Sequence, residues 1–251
     1  MRETGFLILL RHGQSTANAA GLFTGVLDLP LSEQGVREAH VATALLNTAD
    51  LAPETVFTSA LHRTRQTAEI VTTGLRSRSA YVFSDWRLNE RNYGALTGRS
   101  KDAVLQEFGQ EQFLTWRRSV DTPPPPMSDI LYNELSASVL FRTLPVGALT
   151  RTESLRDVIK RVRSFHSERV QPLLARGNSV LLIAHGNSLR ALCALLDGLN
   201  DEAIRQLNIP TGQPLIYTFG PDLQPEHSGG QYLDAVTAQA AASVLTHEGG
   251  T

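Results

Sequence analysis

The chain carries one cysteine, Cys193, in 251 residues. That excludes an internal disulfide framework and any multi-cysteine zinc site. Cys193 lies in "LRALCALLDG", an apolar helical pattern that reads as core packing rather than as a nucleophile. Strong charge of either sign is also missing: 23 Lys and Arg stand against 25 Asp and Glu, a formal net charge of -2. There is no global basic field to hold nucleic acid, so none is expected as a partner. Any anionic ligand must be met by a local group of arginines. Near the start, the apolar stretch from Phe6 to Leu10 is cut off by Arg11. It is too short for a signal-peptide core and far too short for a membrane span. The expectation is a soluble, cytoplasmic protein with no membrane partner.

What is present is an ordinary globular composition, 41% apolar and 19% charged. At this length the chain can bury a sizeable core, and one domain over residues 1–251 is expected. Residues 5–11 form a continuous apolar strand of the parallel-sheet kind. "DLPLSEQGVREAHVATALLNTA" opens a helix with Ser32 as N-cap, its Val36, Ala39, Thr43 and Leu46 recurring on one face. "ETVFTS" (54–59) predicts a second strand. "ALHRTRQTAEIVTTGL" predicts a helix ending at Gly74, and "AYVFSD" a third strand. Residues 100–120 read as a helix with a basic end. Four prolines at 123–126 then force an extended, non-helical run, and residues 127–150 show no clear period, an excursion over the core. "TESLRDVIKRVRSFHSERVQPLLARG" reads as a long amphipathic helix broken near Pro172. "NSVLLIAHGN" is the last strong strand, with "SLRALCALLDG" the helix behind it. The Ala-rich tail predicts a terminal helix with a frayed end. Alternating strands and helices predict an α/β fold, a mostly parallel central sheet with helices on both faces. Ligands of such sheets bind beyond the strands' carboxyl ends.

Two strands end alike, in "LILLRHGQS" and "VLLIAHGNS", and both deliver a histidine followed by glycine to that edge. A lone strand-end histidine is more often a packed residue than a catalyst. His12, however, has Arg11 before it and Gly13 after it, then Gln14, Ser15 and Asn18. Glycine lets a backbone approach an anion closely, and an arginine offers a fixed fork for phosphate. Metal ligation is poorly supported, because no partner sits at ligand spacing. His185, with Gly186 and Asn187, repeats the arrangement without the arginine. Two such histidines can act on one phosphoryl group, one as a neutral nucleophile and the other, protonated, stabilising charge. Arg63 and Arg65 fall near a helix N-terminus, a favourable place for anions, although Arg65 reads as a solvated surface residue. Glu90, in "WRLNERNYGALTGRSK", is a candidate proton donor and acceptor; its plain alternative is a salt bridge with Arg91. Tyr93, Lys101, Arg117 and Arg118 would add donors for an anionic substrate.

Together "LLRHGQSTAN", "FTGVLDLPLSEQG", "TSALHR", "LNERNYGALTG", "WRRS", "AHGNSLRAL" and "LNIPTGQPLIY" resemble, in collinear order, the cofactor-dependent phosphoglycerate mutases of the histidine phosphatase superfamily. The resemblance spans roughly residues 5–120 and 150–220 and implies a three-layer α/β sandwich. It implies that His12 is the phosphorylated nucleophile, with Arg11, Arg63 and His185 around its phosphate and Glu90 moving the substrate proton. Ser15, Asn18, Thr24, Gly25, Tyr93, Lys101, Arg117, Arg118 and Asn187 match positions that hold substrate phosphate and carboxylate. The implied reaction interconverts 3-phosphoglycerate and 2-phosphoglycerate, with 2,3-bisphosphoglycerate as primer cofactor and no metal. A homodimer or homotetramer would follow the family habit. Two alternatives remain: a phosphomonoester phosphatase using the same phosphohistidine, and a non-catalytic phospholigand-binding protein, whose mark would be loss of His12, Glu90 or His185. None is lost. Two departures from the family pattern touch the rim of the site: the 121–150 segment, and Asn92 where the family usually has histidine.

Overall fold

The apolar run at the start becomes β1 (Leu7–Arg11), every residue buried. It is followed in the computed structural model, which describes residues 5–76 and 80–247, by a short α1 (Thr16–Ala19), α2 (Glu33–Thr48), β2 (Thr55–Thr58), α3 (His62–Gly74) and β3 (Tyr81–Ser84). Next come α4 (Lys101–Arg118), α5 (Asp129–Ala137), α6 (Val139–Arg142), α7 (Leu155–Phe165) and α8 (Gln171–Leu174). The chain returns to the sheet as β4 (Val180–Ala184), then α9 (Gly186–Asp197), α10 (Asp201–Gln206), β5 (Leu215–Tyr217), β6 (Gln231–Tyr232) and α11 (Ala235–His247).

The strands order as β3-β2-β4-β1-β5-β6. The β3-β2-β4-β1 half is parallel, whereas β5 pairs antiparallel with β1 and β6 antiparallel with β5. Alternation along β1 divides the core. Leu7 and Leu9 face one layer with Val158, Val162 and Leu192 of α7 and α9. Ile8 and Leu10 face the other, with Ala42, Leu46, Ala68 and Val71 of α2 and α3. Helices on both faces of a mostly parallel sheet are the expected α/β sandwich. No helix among the described residues is long and apolar enough to cross a membrane.

Ser32 does cap α2, its side chain accepting from Gly35 N–H. The inward face is Gly35, Ala39, Ala42, Thr43 and Leu46, with Val36 only half-buried. The cause lies at Gly35, where a Cβ would sit 2.0 Å from the Gln14 carbonyl oxygen; the tip of β1 crosses the helix there. The reciprocal holds at Gly13, where a Cβ would meet Gly35 O at 2.1 Å. Gly13 is therefore required by packing, a different reason from the anion approach expected of it. The long helix after residue 150 breaks one step earlier than its proline suggests. α7 ends at Phe165, a π turn covers His166–Val170, and Pro172 sits in the first turn of α8, where its missing N–H is harmless. Gly109, at φ 78°, likewise interrupts α4.

The 127–150 segment is not irregular throughout. Ser128 and Ser138 cap α5 and α6, and Phe141 with Leu149 packs on Met127 and Val26 in a separate small cluster. The prolines before it run without helix, as expected, and brace the chain: Ala95 N–H donates to Pro125 O at 2.8 Å. The expected frayed end falls at residues 248–251, outside the described residues. Cys193 is buried in the core, where burial pushes its thiol up to about 12.

Candidate active site

Parallel pairing of β1 with β4 sets Arg11 opposite Ala184, so the next residue of each strand leaves the same sheet edge. The consequence is that His12 and His185 stack edge to face, ring centroids 4.8 Å apart. Both are buried. Burial, then Arg63 and Arg11, holds the His12 imidazole well below its ordinary range, and burial, then Arg63 and His12, does the same to His185. Both rings are neutral near pH 7. The expected protonated partner of the nucleophile is therefore absent in the unliganded protein, because burial, reinforced by Arg63 and Arg11, disfavours a further positive charge.

Hydrogen bonds fix the tautomer of His12. Its Nδ1 lies 2.6 Å from Gly13 O, and a carbonyl only accepts, so Nδ1 carries the proton. The lone pair is left on Nε2, where Arg63 Nε–H reaches it through a long 3.3 Å contact. His185 Nε2 lies 2.8 Å from Ser59 Oγ. Thr64 Oγ1 spends its proton on Leu61 O at 2.8 Å, so Ser59 donates to Thr64 and must accept from His185. Its Nδ1, buried and without a hydrogen-bond partner, is left as a bare lone pair.

A pocket opens over His12, lined among others by Arg11, Asn18, Thr24, Gly25, Arg63, Glu90, Tyr93, Lys101 and Arg117. Arg63 is locked by donating to Leu27 O at 2.7 Å and Gly25 O at 2.9 Å, the latter from a glycine at φ 47°. Burial lowers its guanidinium to about 10, still charged at neutrality. Arg11 donates to Ile209 O at 2.8 Å. Arg117 is buried with its guanidinium over the rings of Phe113 and Phe23, at 5.1 Å and 5.8 Å. Glu90 makes no salt bridge with Arg91. Its Oε1 accepts from the Arg91 backbone N–H at 2.6 Å, while the Arg91 guanidinium turns to Trp116 O and stacks 4.5 Å over Tyr93.

Four residues expected to touch ligand do not line this pocket: His185, wholly buried beside His12, and Ser15, Arg118 and Asn187. Ser15 caps α1 and is held with Asn18, Arg118 donates to Asn208 Oδ1 at 2.9 Å, and Asn187 donates through Nδ2 to Tyr93 Oη at 3.1 Å. Arg65 is exposed, as its surface reading requires. Several participants left no signal in the sequence. Ser59, which sets the His185 tautomer, looked like an ordinary strand-end serine. Leu245, on α11, reaches the pocket from the far end of the chain, and Thr211 lines it beside Arg11. Arg190, wholly buried on α9, was not singled out by the sequence either. Asn92 proves to be a brace: its Nδ2 donates to Thr150 O at 2.5 Å and its Oδ1 accepts from Gly94 N–H at 2.9 Å, tying the divergent segment to the Glu90 loop. Among the described residues no group of three or more His, Cys, Asp or Glu is arranged to hold a metal.

A family model described as the histidine phosphatase superfamily (branch 1) matches residues 7–224. The chain belongs to the histidine phosphatase superfamily. Within that superfamily it is 47% identical to a 2,3-bisphosphoglycerate-dependent phosphoglycerate mutase of Clavibacter sepedonicus over 250 residues, 99% of each chain. A protein of the same name from Thermobifida fusca is 45% identical over 243 residues, 97% of this chain and 98% of that one. Among solved structures, a mycobacterial glucosyl-3-phosphoglycerate phosphatase aligns with a TM-score of 0.67 at 24% identity, covering 88% of this chain and 96% of that one. That likeness is one of fold. In this superfamily member the five arginines Arg11, Arg63, Arg91, Arg117 and Arg190 are all buried, and Arg11, Arg63 and Arg117 line the pocket. The only buried carboxylates among the described residues are Glu90 and Glu153, and Glu153 is already paired with Arg161 at 2.8 Å.

Proposed function

We propose that this protein is a 2,3-bisphosphoglycerate-dependent phosphoglycerate mutase, interconverting 3-phosphoglycerate and 2-phosphoglycerate through a phosphohistidine on His12. The charge imbalance of the pocket carries the reading. Three buried guanidiniums, those of Arg11, Arg63 and Arg117, line it together with Lys101 and a single carboxylate, Glu90, and such an excess of positive charge favours an anionic ligand. A ligand bearing two phosphates and a carboxylate suits them better than a monophosphate does. The near end-to-end identity with proteins of that name supports the same assignment.

In this mechanism His12 Nε2 attacks phosphorus, forming the P–N bond as the P–O bond to the primer breaks. Arg11 and Arg63 spread the charge of the transferred group. His185 takes up a proton at Nδ1 once the anion's charge offsets Arg63 and Arg11, and then donates to a phosphoryl oxygen. Glu90 accepts the proton of the 2-hydroxyl as that oxygen attacks the phosphohistidine, and the P–N bond breaks. After the bound molecule turns, His12 takes the phosphoryl group from the other oxygen and Glu90 returns the proton to it. Asn18 Nδ2, free because Oδ1 serves Ser15, joins Thr24, Lys101, Tyr93 and Arg117 in holding the substrate's remaining anionic groups. Ser15, Asn187 and Arg118 support that wall from behind. The bisphosphate primer would charge His12, and guanidinium groups do the neutralising that a metal does in other phosphoryl transfers. We also propose that the protein works in the cytoplasm as a homodimer or homotetramer, as one domain.

The test is incubation with 3-phosphoglycerate and a trace of 2,3-bisphosphoglycerate, with a chelator present, following 2-phosphoglycerate and phosphate separately. The expected result is isomer in large excess over phosphate. Release of phosphate without isomer would identify a phosphatase instead. His12→Ala should eliminate the acid-labile phosphoprotein. Glu90→Gln should keep it while slowing isomer formation by about 10²–10⁴-fold.

A further inference from the structure

Arg190 lies on the first turns of α9, wholly buried, and forms no ion pair among the described residues. Its Nη1 donates to Asn187 Oδ1 at 3.0 Å and its Nη2 to Ile204 O at 2.6 Å, while Nε has no hydrogen-bond partner. A buried guanidinium satisfied only by an amide and a carbonyl is an expensive way to fill space. Packing alone does not account for it, since a leucine or methionine would suit a helix whose neighbours are Leu189, Ala191 and Leu192.

What the guanidinium does is fix direction. Arginine has donors and no acceptor, so the Asn187 atom facing Nη1 must be the oxygen. The amide nitrogen must then face the other way, and it meets Tyr93 Oη at 3.1 Å. That nitrogen only donates, so Tyr93 accepts. The phenolic proton is left over. No protein acceptor is within reach of it among the described residues, and Tyr93 lines the pocket. The proton is presented to whatever anion enters. With the amide reversed, Tyr93 would donate to Asn187 and turn a lone pair toward the ligand's negative charge.

We propose that Arg190 is a positioning residue that sets the hydrogen-bond polarity of Tyr93 through Asn187, making the tyrosine an obligate donor to an anionic oxygen of the substrate. This rests on the reading of the pocket as a phosphoglycerate site. The chain Ile204 O, Arg190, Asn187, Tyr93, ligand runs in one direction throughout. The Asn187 backbone N–H also points at Glu90 Oε2, at 3.5 Å, so the same residue stands behind both the donor and the proton carrier.

A mutant cycle read by calorimetric binding of 3-phosphoglycerate tests this, because binding is measured whether the product is isomer or phosphate. Tyr93→Phe should weaken binding about tenfold or more, the worth of a hydrogen bond to a charged group. Arg190→Met should weaken it similarly, and adding Tyr93→Phe to Arg190→Met should cost almost nothing further. Arg190→Lys, which keeps a donor to Oδ1, should restore the full sensitivity to Tyr93→Phe. Asn187→Asp provides a second route if Arg190→Met does not fold. An aspartate pairs with Arg190 and accepts the tyrosine's proton, so the thermal midpoint should hold or rise while the Tyr93→Phe effect disappears. If Tyr93→Phe costs the same factor in the Arg190→Met or Asn187→Asp background as in the parent, the direction is not set by Arg190 and the inference fails. If the parent turns 3-phosphoglycerate into phosphate but the cycle couples as described, the mutase reading fails and this one stands.

Discussion

His12 and His185 are buried imidazoles and His166 a half-buried one; all three are held below their ordinary range, the last lowered to about 4 by its partial burial. A histidine whose folded-state pKa lies under its unfolded value of 6.5 binds fewer protons folded than unfolded. Stability is therefore complete above pH 6.5 and declines as pH falls below it. Each ring contributes at most about 1.4 kcal/mol per pH unit, so stability should fall steadily as pH drops below about 6.5. Urea midpoints at pH 7.5, 6 and 5, in buffer free of phosphate and sulfate, should fall accordingly. A flat profile down to pH 5 would contradict the buried, neutral assignment. At this scale the sequence revealed much and hid a specific class. His12 and His185 were legible because a β-strand tip followed by His-Gly is a local pattern. Arg91 and Arg190 were not, because an arginine that is buried and one that is solvated are written with the same letter. Only the packing of α4 and α9 tells them apart.

The secondary elements that carry the site, β1, β4, α3 and α9, were legible through their continuous apolar runs and the glycine that ends α3. The helices of the 121–150 segment were not, for a physical reason. Ile130 is 72% exposed and Val139 80% exposed, so their apolar residues point outward as well as into the small Met127–Phe141 cluster, and no single period survives to be read. β5, three residues long and antiparallel to β1, was not anticipated, because so short a run carries little alternation to read. The 121–150 segment is joined to the Glu90 loop through Asn92, bonded to Thr150 O, and through Ala95, bonded to Pro125 O. Asn92→Ala removes bonds to Thr150 and Gly94 and should cost about 1–3 kcal/mol. Limited proteolysis should then cut within residues 143–150 well before global unfolding; unchanged protection would show that the prolines alone hold the segment. The final helix is a second element whose role escaped the sequence. α11 brings Leu245 to the pocket and is tied down where Asn208 Nδ2 donates to Thr246 Oγ1 at 2.9 Å. A chain ending at Asp234 should lose part of the pocket's apolar rim and admit water. The ratio of phosphate to isomer should rise at least severalfold, and an unaltered ratio would remove α11 from the site.

Taken as a whole, the molecule is nearly neutral outside and strongly positive at one place inside. Binding of an anion to the folded state alone shifts stability by mass action, about 2.7 kcal/mol at a hundred times the dissociation constant. For a chain of this size that corresponds to roughly 5–10 °C in midpoint. Melting with and without 3-phosphoglycerate should show such a rise, and Arg63→Met should be more stable than the parent without ligand and gain far less with it. A parent that melts at the same temperature with and without the ligand would deny that the arginines await a counter-ion. The cluster of arginines described above then reaches beyond chemistry into the protein's lifetime. Without its anion the protein stands in its weakest form, the one most often opened to proteases. Proteolysis should accordingly be slower with 3-phosphoglycerate present than without it, because the counter-ions that complete the fold are the molecules the pocket binds.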